Sequence, residues 1–136
     1  MSEAILFTDG GSRGNPGHSG AACILFKANG ELIDFKAKAY ELLTNNQAEY
    51  SGFIDGLKLA IKNGISNLTC NLDSELIVKQ INGVYKISDA KIKSLKPQID
   101  DLMHQFASIT VQHIPREQNK FADKLVNLVV DAYEKI

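Results

Sequence analysis

Four carboxylates, Asp9, Glu49, Asp73 and Asp123, carry the strongest chemical signal in this chain. Asp9 closes the apolar run Ala4-Ile5-Leu6-Phe7-Thr8, and Asp73 follows the alternating apolar positions Leu68, Cys70 and Leu72. Gly10 or Ser74 comes at once after each, so both acids read as strand ends at the rim of a sheet, where ligands bind in open α/β folds. Glu49 and Asp123 stand instead in the early turns of two apolar-striped helical stretches. Singly, each acid has an ordinary explanation. Asp9 suits a turn before Gly-Gly, Asp73 suits a cap, and the other two complement helix dipoles. Jointly they do not, because four uncompensated carboxylates at one rim repel one another and hold on to protons. A hard divalent cation removes that conflict, and Mg²⁺ takes oxygen ligands while keeping several waters.

The elements that must bring these acids together can be read from the pattern around them. After the first strand comes a glycine-rich loop, Gly10 to Gly17, whose glycines allow close approach of a bulky partner. Gly20 to Phe26 reads as a second strand and Leu32 to Ala39 as a third, joined by a hairpin at Ala28-Asn29-Gly30. Thr44 or Asn45 caps a helix running to about Asn63, with Tyr50, Phe53, Leu57, Ala60 and Ile61 as its apolar stripe and Gly64 behind it. A fourth strand ends at Asp73, and Ser74 to about Asn82 is helical up to Gly83. Asp89 to about Phe106 reads as one further helix, either unbroken or broken near Pro97. Ile109, Val111 and His113 form a fifth strand stopped by Pro115. Gln118 or Asn119 opens the last helix, with Phe121, Leu125, Leu128 and Ala132 on its apolar face. The order β-β-β-α-β-α-α-β-α implies a mixed sheet flanked by helices.

Composition narrows the function classes. At 136 residues, 44% apolar and 23% charged, the chain is an ordinary globular domain. Its formal net charge of −1 excludes a generally basic nucleic-acid binder, so a polyanionic partner needs a local patch or bound cations. Cys23 and Cys70 lie apart inside apolar segments and read as small buried hydrophobes. Met1-Ser2-Glu3 lacks the basic start of a secretory signal, and no apolar stretch nears the roughly 20 residues of a membrane span. A cytoplasmic location with no membrane contact is expected.

Four segments taken in order resemble the ribonuclease H family, type 1, along nearly the whole chain. They are Thr8-Asp9-Gly10-Gly11-Ser12 with Gly14-Asn15-Pro16-Gly17, then Thr44 to Glu49, then Leu72-Asp73-Ser74, then Pro115-Arg116-Glu117 with Asn119 and Ala122-Asp123. The resemblance implies one α/β domain over residues 1–136, with a five-stranded mixed sheet in the order 3-2-1-4-5. Strand 2 is antiparallel in that pattern, and helices cover both faces. It also implies that Asp9, Glu49, Asp73 and Asp123 hold two divalent ions, Mg²⁺ or Mn²⁺, with Asp9 bridging them. The implied partner is an RNA–DNA hybrid duplex, whose RNA strand is hydrolysed to 3′-hydroxyl and 5′-phosphate ends. No obligate protein partner is evident.

The same resemblance assigns the remaining site residues. Ser12, Asn45 and Glu75 fall where the family touches RNA 2′-hydroxyls, the group that separates RNA from DNA. Asn15 and Thr44 fall where it grips a DNA phosphate, while Gly10, Asn46 and Gln47 join the same rim. Arg13 and Arg116 are the only arginines, and a guanidinium suits phosphate through paired hydrogen bonds. Arg116 lies where other members carry a mobile histidine that aids product release; His113 is the alternative. Unlike larger relatives, the chain has no Trp and no long basic protrusion. A catalytically silent binding domain would lack one of the acids, and all four are present. Another metal-dependent nuclease on the same architecture is the remaining competitor.

Overall fold

The computed structural model describes residues 3–135. Strands β1 (Glu3–Arg13), β2 (Gly17–Lys27) and β3 (Leu32–Leu43) form an antiparallel meander. Helix α1 (Asn45–Lys62) then crosses to β4 (Asn67–Leu72), which lies parallel to β1. Helices α2 (Glu75–Ile81) and α3 (Ala90–Met103) lead to β5 (Ser108–His113), parallel to β4, and a 3-10 turn at Arg116–Gln118 precedes α4 (Lys120–Glu134). The strand order is β3-β2-β1-β4-β5, as the resemblance implied.

Side-chain alternation along the strands splits the interior in two. Leu6, Leu25 and Cys70 face α1, α2 and α3, where Tyr50, Phe53, Leu57, Ile77, Ile92 and Ile99 complete the main core. Gly20 and Ala22 face the other way, against Val126 and Val130 of α4. Both cysteines are free and buried, so they act as the small hydrophobes expected. Thr44 closes a capping box on α1: its Oγ1 accepts from Gln47 N at 3.1 Å, and Gln47 Oε1 accepts from Thr44 N at 3.1 Å.

Four expectations need correction. Asp9 does not end its strand: β1 continues through Gly10, Gly11 and Ser12 to Arg13, paired with β2 down to Arg13 and His18. The turn is confined to Gly14–Asn15–Pro16, with Gly14 at φ +83°. The reason is that β2 keeps pairing β1 while β4 stops at Leu72 opposite Thr8, so Asp9 reaches the rim on the β4 side only. Second, β3 runs on past Ala39 to Leu43, paired with Gly17. Third, α3 ends at Met103 rather than near Phe106. Of the two readings left open at Pro97 the unbroken helix holds, with Ile92 and Ile99 on either side both anchored in the core.

The fourth correction concerns the buried face of α4. Phe121 and Leu128 are 68% and 62% exposed and Ala132 is exposed, while Ala122, Val126 and Val130 are buried. Leu125 is half-buried. Small residues on β2 decide this: a Cβ on Gly20 would lie 2.9 Å from Val130 Cγ2 and 3.0 Å from the Val126 carbonyl oxygen. The helix lies so close to the sheet there that valines fill the gap and larger side chains fall beside it.

Candidate active site

Asp9 and Asp73 meet because their strands are parallel neighbours and β4 turns away just after Leu72. Glu49 reaches them from the first turns of α1, held against β1 by close backbone contact. A Cβ on Gly10 would overlap the Ala48 carbonyl group, and one on Gly52 would lie 2.6 Å from the Asp9 carbonyl oxygen. Glycine at both positions lets α1 sit directly on the strand. Asp9, Glu49 and Asp73 each offer a carboxylate oxygen, and these oxygens lie within 4.8 Å of one another. Asp123, on the first turn of α4, shares the groove with them, and its Oδ1 lies 3.7 Å from Arg116 Nη2.

The electrostatics are those of a crowded, partly dry site. Burial pushes the Asp9 carboxyl up to about 7, and the negative charge of Asp73 pushes in the same direction. The Gly10 backbone N–H opposes them, and Asp123 adds a smaller upward push. Glu49 is held well above the usual carboxylate range by burial first, then by the charges of Asp9 and Asp73. Its Oε1 is buried without a hydrogen-bond partner among the described residues. Buried carboxylates with more oxygens than donors to satisfy them are expensive unless a cation joins them. The donor set is all oxygen, which matches Mg²⁺ or Mn²⁺ and not a thiolate-seeking metal. The residues present therefore fit the divalent ions that the sequence called for.

The groove has a volume of about 380 Å³ and is lined by most of the residues singled out in the sequence. Gly10, Ser12, Arg13, Asn45, Asn46 and Arg116 all lie along it with the four acids. Asn45 and Asn15 form a chain across the rim: Ser12 N donates to Asn45 Oδ1 at 2.8 Å, and Asn45 N donates to Asn15 Oδ1 at 2.8 Å. Thr44 and Gln47 stand outside the lining, engaged in the cap of α1. Glu75 is exposed and lies 3.4 Å from Lys79 Nζ. Arg13 reaches Asp131 and Glu134 on α4, both at 2.7 Å. Arg116 is the freer guanidinium, with a side chain 80% exposed. His113, at the end of β5, is exposed and does not line the groove.

A family model described as reverse transcriptase-like matches residues 7–129. The ribonuclease H of Hydrogenovibrio crunogenus is 31% identical over 146 residues, 96% of this chain and 97% of that protein. The chain belongs to the ribonuclease H family. The bifunctional protein Rv2228c of Mycobacterium tuberculosis is 37% identical over 131 residues, 96% of this chain and 36% of that protein. This family member thus spans about a third of the length of that longer relative. The solved N-terminal RNase H domain of Rv2228c superposes with a TM-score of 0.95 at 34% identity, covering 99% of this chain and 98% of that one. LC11-RNase H1, solved in complex with an RNA/DNA hybrid, superposes at 0.90 with 33% identity over 96% of this chain and 98% of that one.

One residue at the site, read from the sequence as a helix start and as part of the segment ending in Asp123, had no role of its own assigned there. Asn119 is 1% exposed, and its Nδ2 donates to the Thr8 carbonyl at 2.8 Å and to Asp73 Oδ2 at 2.9 Å. It occupies the N-cap position of α4 but makes no side-chain cap hydrogen bond. An asparagine before a helix ordinarily signals a cap, so its identity concealed this other use.

Proposed function

We propose that this chain is a single ribonuclease H domain, residues 1–136, that hydrolyses the RNA strand of RNA–DNA hybrids and leaves 5′-phosphate and 3′-hydroxyl ends. The convergence of Asp9, Glu49 and Asp73 within 4.8 Å, with Asp123 on the same groove, carries this reading. Asp9, Glu49, Asp73 and Asp123 would hold two Mg²⁺ or Mn²⁺ ions. When bound, such ions lower the pKa of water for in-line attack and stabilise the leaving 3′-oxygen.

The chain's own residues supply the rest. Burial and mutual repulsion make Asp9 and Glu49 hold protons more tightly while the acids face one another alone, so loading the site releases protons and is favoured as pH rises. Ser12, Asn45 and Glu75 face the RNA 2′-hydroxyls, with Gly10 and Asn46 against the same backbone; Glu75, if ionised, can only accept. Asn15 and Thr44 grip a phosphate of the DNA strand, with Gln47 holding Thr44 in place through the capping box. Arg13 adds a phosphate contact by exchanging its bonds to Asp131 and Glu134. Arg116, exposed at the edge of the groove, assists product departure. A net charge of −1 makes hybrid affinity modest and lowered further by salt. No helix among the described residues is long and apolar enough to cross a membrane. Two free thiols fit a reducing cytoplasm.

The test is incubation with Mg²⁺ or Mn²⁺ and four end-labelled substrates: hybrid, duplex RNA, duplex DNA and single-stranded RNA. Cation-dependent cutting of the RNA strand of the hybrid, with 5′-phosphate products, is expected. An intact hybrid, or cleavage of duplex DNA instead, would refute the reading.

A further inference from the structure

We propose that Asn119 is a positioning residue that fixes the Asp73 carboxylate against β1, so that Asp73 and Asp9 turn oxygens toward the same cation. Past the pair of Thr8 with Leu72, β4 no longer supplies partners for β1, and the Thr8 carbonyl lies at that open end. The Asn119 amide fills the gap, giving one N–H to Thr8 O and one to Asp73 Oδ2. Both targets are acceptors, so only the NH₂ side of the amide can face them, and the orientation is dictated by chemistry. The cost is visible on the other side: Asn119 Oδ1 is buried with no partner among the described residues. A buried asparagine that leaves its oxygen unpaired and declines the helix cap is held in place by the two bonds it does make.

The same residue also reaches the fourth acid. The Asn119 carbonyl accepts from Asp123 N at 3.1 Å, so one residue ties the strand bearing Asp9, the carboxylate of Asp73 and the helical turn bearing Asp123. Outer partners that orient metal ligands in this way commonly govern affinity as strongly as a ligand does.

The inference rests on the cation-binding reading of the acids, and the wild-type chain is the control for that reading. Mn²⁺ titrated into the full chain by calorimetry reports affinity, and melting in EDTA reports fold. Asn119→Ala is expected to weaken Mn²⁺ binding about 10- to 100-fold. On the hybrid it is expected to lower kcat with KM kept within about twofold. In an Asp73→Ala background the same change is expected to move Mn²⁺ affinity by less than about twofold, because the acceptor it orients is gone. Asn119→Leu keeps the volume without the donors, and gives the same comparison if the alanine variant does not fold. A folded variant that melts lower yet binds Mn²⁺ like wild type has lost packing only, and overturns the proposal. Equal weakening with and without Asp73 overturns it too. A wild-type chain that binds no Mn²⁺ overturns the metal reading itself, a separate result.

Discussion

Replacing Asp9 by asparagine is expected to abolish hybrid cleavage and, in EDTA at neutral pH and above, to stabilise the fold. Asp9 is 7% exposed as a residue, and burial with the nearby charge of Asp73 raises its carboxyl pKa from 3.8 to about 7. Between those values the native state holds a proton that the unfolded chain has released. Stability therefore falls as pH rises through that window, and the cost is complete above about 7. A rise of roughly three units corresponds to about 4 kcal/mol at 1.36 kcal/mol per unit. Asparagine keeps an acceptor for the Gly10 N–H but buries its own amide, so a net gain of about 2–4 kcal/mol is expected. Urea denaturation of both proteins in EDTA across pH 4 to 9 measures it. The two curves should nearly meet at the acid end and diverge up to about pH 7, with the variant above. Added Mg²⁺ or Mn²⁺ should narrow the gap by stabilising only the wild type. A difference that does not change with pH, or a wild type more stable at pH 8 in EDTA, would refute the reasoning that the acids strain the cation-free fold.

Three other outcomes follow from the geometry. Gly10→Ala drives a methyl group into the Ala48 carbonyl, so it is expected to cost about 1–3 kcal/mol by denaturation and to slow cleavage, because Glu49 moves with α1. A variant with wild-type stability would show that the close seating of α1 is not needed. Arg116→Ala should slow turnover on the hybrid while affinity stays within a few-fold, read by single- against multiple-turnover kinetics; unchanged turnover returns the role to His113 or to neither. Arg13→Ala should lower the slope of log affinity against log salt by about one phosphate contact. An unchanged slope would confine Arg13 to its pairs with Asp131 and Glu134.

What the sequence disclosed, and what it hid, divides along the range of the forces involved. Caps, turns and stripes are local, so Thr44, Ser74 and Asp89 were legible as helix starts and the Tyr50, Phe53, Leu57 and Ala60 stripe as core. The buried face of α4 was not. Its apolar residues occupy two adjoining stripes, Phe121 with Leu128 and Val126 with Val130, and periodicity gives no reason to prefer the smaller pair. The choice is made by Gly20 and Ala22 on another strand, more than a hundred positions earlier. Asp9 shows the same limit in a milder form. Its place at a rim was readable, but whether the strand stops there depends on which neighbour runs out first, and only β4 does.

That asymmetry of neighbours also explains why the acids are tolerable at all. Asp9 sits in the middle of a strand paired on one side, so its backbone is fixed by β2 and cannot relax away from Asp73 or Glu49. A surface loop would have let three carboxylates swing apart into water and lose their mutual repulsion. Here the strand, the glycine-seated α1 and the Asn119 amide deny that escape. Where the acids cannot swing apart, only bound protons or a cation relieve their repulsion, so the rigidity that destabilises the empty site is what sharpens its affinity for divalent ions. The stabilisation expected of Asp9→Asn and the Mn²⁺ affinity expected to fall in Asn119→Ala test two sides of that coupling: one removes the repulsion, the other the restraint.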